Sequence, residues 1–217
     1  VDDAAHEFEE RMILIRNGTV VDPANAIEAP HDVLVRDGRI AAVGAPGAVG
    51  ADGAETIDAS GMWVVPGLID MHVHLREPGF EYRETIASGA RSAVAGGFSA
   101  VACMANTEPV NDNAPVTTAI LERARAAGLA RVFPIGAVSQ GLKGEQLAEI
   151  GEMHAAGIVA ISDDGKPIMN GDLMRRALEY AGMFGLCVIA HEEDCNIAAG
   201  GVMHEGETSL RLGLRGM

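Results

Sequence analysis

Cationic residues are scarce in this chain. Its 217 residues carry 16 Lys and Arg against 31 Asp and Glu, for a formal net charge of −15. A nucleic-acid groove needs the opposite balance, so that class of partner is set aside. Cysteine is scarce as well: Cys103, Cys187 and Cys195 are the full set. An odd number with no close pairing does not make a disulfide scaffold. Cys103 and Cys187 lie in apolar runs and read as buried thiols, which suits a reducing cytoplasm. No apolar run reaches the roughly 18 residues of a membrane span. Residues 1–11 are charged and lack the apolar centre of a signal peptide, so they read as a tail. Aromatics are few, with one Trp, two Tyr and five Phe, whereas glycine reaches 27. Tight turns and helices packed closely on a sheet use such a composition.

What is present falls into two rhythms. Residues 12–61 read as a small β-sandwich segment. Met12 to Arg16 is a strand, Asn17-Gly18 a hairpin turn and Thr19 to Val21 a second strand. His31 to Arg36, Asp37-Gly38 and Arg39 to Gly44 repeat the pattern. No charged cluster there suggests chemistry. From residue 62 to 217, strands alternate with helices. Helices are expected over 82–95, 114–127, 144–156 and 171–184, most of them closed by a glycine suited to the left-handed C-terminal position. Strands are expected near 62–74, 99–104, 131–138, 158–162 and 186–191. That alternation implies a parallel sheet with helical covers, whose chemistry gathers at the strand C-terminal ends.

Polar residues do cluster at those ends. The first strand runs from Met62 as a buried apolar stretch and ends in His72, His74 and Arg76. The second ends in Asn106-Thr-Glu-Pro, the fourth in Asp163-Asp164-Gly165, the fifth in His191-Glu-Glu-Asp. Residues two apart in a strand share a face, so both imidazoles of His72 and His74 project together. Arg76 continues that alternation. Two such imidazoles make half of a metal site. With His191 and one Asp of the Asp163-Asp164 pair they suggest a binuclear centre, which would make water a nucleophile near neutral pH. The plain alternatives are satisfied histidines at a strand end, turn chemistry for the Asp pair and an Asx turn at Asn106. His6 and His31 lie outside the strand–helix pattern, His154 sits on a covering helix, and His204 is a loop residue. Glu192, Glu193 and Asp194 read as the acidic opening of a helix.

Gly-Leu-Ile-Asp-Met-His-Val-His-Leu-Arg-Glu-Pro-Gly, residues 67–79, resembles the first-strand signature of the amidohydrolase superfamily, and its Arg-Glu-Pro-Gly ending is similar to dihydroorotases. The resemblance runs from about Met12 to the end. It implies a (β/α)8 TIM-type barrel, incomplete here at about five strands. It also implies metal ligands His72, His74, Asp164 and His191 around Zn²⁺, as one or two divalent ions. Asp164 would bridge the ions and Asp163 would support it. Arg76 and Asn106 would bind a substrate carboxylate, although Ala105 stands where many members have Pro. The implied reaction is reversible hydrolysis of L-dihydroorotate to N-carbamoyl-L-aspartate, in cytoplasmic pyrimidine synthesis. An allantoinase or hydantoinase is the alternative enzyme. Hydantoinases bridge their metals with a carbamylated lysine, and only Lys143 and Lys166 exist here to do so. A homo-oligomer is expected, with aspartate transcarbamoylase as a further partner or, in a non-catalytic reading, the main one. The general-base Asp is expected beyond residue 217, so these residues alone are expected to be inactive.

Overall fold

The computed structural model describes residues 12–217. The chain divides after Pro66 into two compact units.

The first unit is one mixed sheet. Its strands are β1 (Met12–Asp22), β2 (Ile27–Arg36), β3 (Arg39–Gly44), β4 (Glu55–Asp58) and β5 (Trp63–Val64). The order is β3-β2-β1-β4, and β5 also pairs with β1. Asp37-Gly38 turns β2 into β3 with φ of 49° and 72°, the two positive angles of a type I′ turn. Asn17-Gly18 does not turn the chain. β1 runs through it, and the register with β2 slips between Ile15 and Gly18. Asn17, at φ 63°, is the extra residue of a bulge. Opposite it lies the buried Asp32, whose carboxylate accepts from the Asn17 amide at 3.1 Å and the Gly47 amide at 2.7 Å. The chain reverses instead at Pro23–Asn25, where Asp22 caps the turn. An Asn-Gly pair supplies positive φ to a bulge as readily as to a hairpin, and the carboxylate across the ladder selects the bulge.

The second unit alternates strictly. It runs β6 (Leu68–Val73), α1 (Ile86–Ala95), β7 (Phe98–Cys103), α2 (Ala114–Ala127), β8 (Arg131–Gly136), α3 (Ile150–Ala156), β9 (Ala160–Ser162), α4 (Gly171–Met183) and β10 (Cys187–Ile189), followed by the short α5 (Cys195–Ala198) and α6 (Glu207–Leu212). The five strands form one parallel sheet in the order β10-β9-β8-β7-β6. This is an incomplete (β/α) barrel, five strands of the eight that close one. Helix starts are written in the sequence. Thr85 and Ser88 make a capping box, Asn113 caps α2, and Asn170 caps α4. The stretch expected as a helix from residue 144 begins only at Ile150. Gly141, Leu142 and Gly144 hold φ of 60°, 56° and 67°, angles that cannot continue a right-handed helix.

The pleat divides the sheet into two faces. Val101, Cys103 and Val132 pack with Ile86 of α1 and Val116 and Ile120 of α2. Ile161 packs with Ile150 and Met153 of α3 and Ala177 of α4. The other face carries a smaller apolar set: Ala102, Met104, Ile135 and Ala160, with Ile189 beside them. β6 departs from the buried strand expected from its composition. Leu68, Ile69 and Met71 are exposed. β6 is an edge strand with β7 as its one partner in the sheet, so its flank is open. Cys187 is likewise exposed rather than buried, because β10 forms the opposite edge. Cys103, in the middle, is buried, and burial pushes its thiol up to about 12. Among the described residues, no helix is long and apolar enough to cross a membrane.

Candidate metal centre

Val73 and Leu75 pack with the helix-side core. His72 and His74, out of phase with them, therefore belong to the opposite face. Their rings stand 5.3 Å apart between centroids, nearly edge to face. Asp164 reaches the same place from β9. Ala160 lies on the helix-free face and Ile161 on the helix side, so alternation returns Asp164 to the helix-free face. A turn closed by the Lys166 amide on the Asp163 carbonyl, with Gly165 at φ 79°, ends the strand.

The Asp164 carboxylate is shared between imidazoles. His72 Nε2 lies 3.3 Å from Oδ1 and His74 Nε2 lies 3.5 Å from Oδ2. Ligands bonded at 2.0–2.2 Å to one tetrahedral ion stand about 3.3–3.6 Å apart. Each imidazole thus stands from an Asp164 oxygen at the spacing of two ligands on one ion. One ligand atom from each of His72, His74 and Asp164 lies within 4.8 Å of the others. His191, two residues past β10, approaches from the far edge. Its Nδ1 lies 3.7 Å from Asp164 Oδ1, while its Nε2 is engaged by Glu193 at 3.1 Å. The three imidazoles and Asp164 therefore meet at one end of the sheet, with His191 the loosest of the four.

The neighbouring Asp163 does something different. Its buried carboxylate accepts from the Val138 amide at 2.8 Å, the Ser139 amide at 3.0 Å and the Ser139 hydroxyl. It ties the loop after β8 to the end of β9. Burial raises its pKa, against the pull of those donors. Asn106 touches the centre itself. Its Oδ1 lies 3.0 Å from His74 Nδ1 and its Nδ2 lies 3.5 Å from Asp164 Oδ2.

Arg76 does not continue the strand alternation. β6 ends at Val73, and Arg76 has φ 62°, inside a turn closed by the Phe80 amide on its carbonyl. Among the described residues its guanidinium forms no ion pair. The loop carrying Arg76 and the loop carrying Asn106 are joined by the Glu108 amide on the Pro78 carbonyl at 2.9 Å. Gly79 lies so close to Glu108 that a Cβ there would come within 2.1 Å of its carbonyl oxygen.

Glu193 was read from the sequence as helix-opening acidity. That role belongs to Asp194, which caps α5, and Glu193 pairs with His191 instead. No signal in the sequence separates the two acids. Lys143 and Lys166 are both exposed. His31 faces the Ala29 carbonyl in the first unit, His154 is exposed against Phe184, and His204 is exposed in a loop. His6 lies outside the described residues. A cavity of about 230 Å³ lies beside His191, lined in part by Lys166, Ile168, Met174 and Ile189.

The dihydro-orotase-like family model matches residues 61–217. The dihydroorotase of Anaeromyxobacter sp. (strain K) is 55% identical over 206 residues, which cover 95% of this chain and 47% of that protein. The dihydroorotase of Solibacter usitatus (strain Ellin6076) is 58% identical over 205 residues, 94% of this chain and 47% of that protein. The chain thus spans about half the length of the curated relatives it matches. Among solved structures, the L-hydantoinase (dihydropyrimidinase) from Arthrobacter aurescens shares the fold, with a TM-score of 0.72 and 24% identity over 87% of this chain and 42% of that one. The family model matches most of this chain, more than half of the aligned residues are identical in these two dihydroorotases, and the chain belongs to the dihydro-orotase-like family.

Proposed function

We propose that this chain supplies the metal-binding part of a dihydroorotase, a cyclic amidohydrolase interconverting L-dihydroorotate and N-carbamoyl-L-aspartate in pyrimidine synthesis. One observation carries the reading: the Asp164 carboxylate faces His72 and His74 at ligand-to-ligand spacing, with His191 next to it. These four residues would hold one or two divalent ions. Zinc fits a set of imidazoles and a carboxylate. When bound, such an ion polarises an amide carbonyl and makes water nucleophilic near neutral pH. Arg76, with no ion pair among the described residues, grips the substrate carboxylate through its two-pronged guanidinium. Asp164 would be the carboxylate ligand of the centre, since it faces the imidazoles while both lysines are exposed.

Asp164 faces the imidazoles, Asp163 holds the β8 loop, and Glu193 pairs with His191. None of these three is spare for proton transfer, so residues 1–217 alone are expected to lack turnover. The test is hydrolysis by the longest chain the gene encodes, with dihydroorotate, allantoin and hydantoin as substrates, before and after chelation. Dihydroorotate should be turned over, and chelation should abolish it. Preference for hydantoin or allantoin, or turnover indifferent to chelation, would overturn the reading.

A further inference from the structure

We infer that Asn106 is a positioning residue for the metal centre, selecting the tautomer of His74 that leaves its Nε2 lone pair facing Asp164. This rests on the metal-centre reading above and adds a role to it.

The argument follows from what each atom is able to do. An ionised carboxylate only accepts hydrogen bonds. The amide end of Asn106 that faces Asp164 Oδ2 is therefore the donor, Nδ2, at 3.5 Å. That leaves the carbonyl Oδ1 facing His74 Nδ1 at 3.0 Å. Oδ1 only accepts, so Nδ1 must carry the hydrogen. In a neutral imidazole the other nitrogen is then bare. Nε2 is the atom that faces Asp164 Oδ2, at 3.5 Å. Two acceptors confront each other with no hydrogen between them, which is the arrangement a cation completes. Flipping the amide would face a donor to Nδ1, place the hydrogen on Nε2 and turn the Asn106 carbonyl toward the carboxylate.

The loop that carries Asn106 is built to hold it still. Met104 and Ala105 before it are buried, and so is Thr107 after it. The Ala105 carbonyl accepts from the amides of both Thr107 and Asn111, and the Thr107 hydroxyl donates to the Pro109 carbonyl at 2.8 Å. Asn111 in turn donates to the Ile135 carbonyl of β8 at 2.9 Å. Partners that fix the free nitrogen of a ligating histidine typically change metal affinity 10–100-fold when removed. A residue that only grips substrate would leave metal affinity untouched.

The experiment separates those two roles without relying on turnover. Zinc affinity is measured by chelator competition, with no substrate, for the wild-type chain, Asn106→Leu and Asn106→Asp. Asn106→Leu keeps the bulk and loses both hydrogen bonds. Asn106→Asp keeps an acceptor toward Nδ1. The leucine variant should bind zinc about 10–100-fold more weakly, and the aspartate variant should lose little or nothing. In parallel, ¹⁵N chemical shifts of His74 in metal-free wild-type protein should report hydrogen on Nδ1. Hydrogen on Nε2 in the wild type, or unchanged zinc affinity in a folded Asn106→Leu, would overturn the inference. The wild-type measurement stands even where the leucine variant does not fold. Undiminished zinc affinity in both His72→Ala and Asp164→Ala would instead overturn the metal centre, an outcome the His74 tautomer does not depend on.

Discussion

Asp164→Ala removes the one carboxylate on which His72, His74 and His191 converge. Zinc held by four protein ligands is worth about 10–16 kcal/mol in small structural sites. Shared equally, one ligand is worth roughly 2.5–4 kcal/mol, so zinc affinity should fall about 10²–10³-fold. The fold should barely notice. The turn at Asp164 is closed by backbone atoms, the Lys166 amide on the Asp163 carbonyl at 2.9 Å, and the side-chain contacts of Asp164 are with the metal-centre residues themselves. Melting of the metal-free variant should therefore stay within about 1 kcal/mol of the wild type. Lys166→Ala is the control. Its amine is exposed, and if no carbamate forms there, zinc affinity should be unchanged and added bicarbonate should have no effect. Zinc titration by chelator competition reads all three proteins. Wild-type affinity in Asp164→Ala, or bicarbonate-dependent binding that Lys166→Ala abolishes, would refute the assignment of the carboxylate ligand to Asp164.

Arg76→Lys should lower kcat/KM for dihydroorotate at least tenfold in the complete enzyme. A charge-assisted hydrogen bond contributes about 1.5–3 kcal/mol, and an ammonium cannot reproduce the fork. An unchanged value would remove Arg76 from the site. Asp163→Ala should destabilise the chain by about 3 kcal/mol or more, because two amides and a hydroxyl lose their buried acceptor. Ser162→Ala next to it should cost nothing, since that buried hydroxyl has no partner among the described residues; urea unfolding distinguishes the two. Asp32→Asn should cost about 1.5–3 kcal/mol at pH 7. The Gly47 amide above all, then the Asn17 amide and Arg16, hold the Asp32 carboxyl below its usual value of 3.8. Its stabilisation is complete above that value and is lost as pH falls through the lowered one. The wild type and Asp32→Asn should therefore converge in stability in strong acid, and a gap as wide there as at pH 7 would contradict the assignment.

Much of the second unit was legible because its signals are local. Alternating apolar strands and glycine-closed helices state their own type, and the helix over residues 114–127 has the bounds expected, with Gly128 closing it. The His-x-His spacing placed two imidazoles on one face because the strand period is two. Other features answer to residues far away in the chain. Asn17-Gly18 carries a positive-φ signal that suits a hairpin or a bulge, and Asp32 on the facing strand decided between them. The helix expected from residue 144 starts late because the loop before it is held from afar, Ser139 by Asp163 and Gly141 by Asp112, with Gly144 left-handed and bonded to the Ser139 hydroxyl.

The sequence by itself determined which chemistry is available at the strand ends: three imidazoles, an Asp pair, an arginine and an amide. Tertiary structure decided how those groups divide the work. Asp163 and Asp164 are chemically identical neighbours, yet one is buried under the β8 loop and the other faces the histidines. Glu193 and Asp194 part in the same way, one to His191 and one to a helix cap. Asn106 acquired both of its partners from other strands, His74 and Asp164. Local backbone preference acts over a few residues and sets element type and side-chain period. Which atoms meet across a parallel sheet depends on strand order and register, and those are settled only when the core packs.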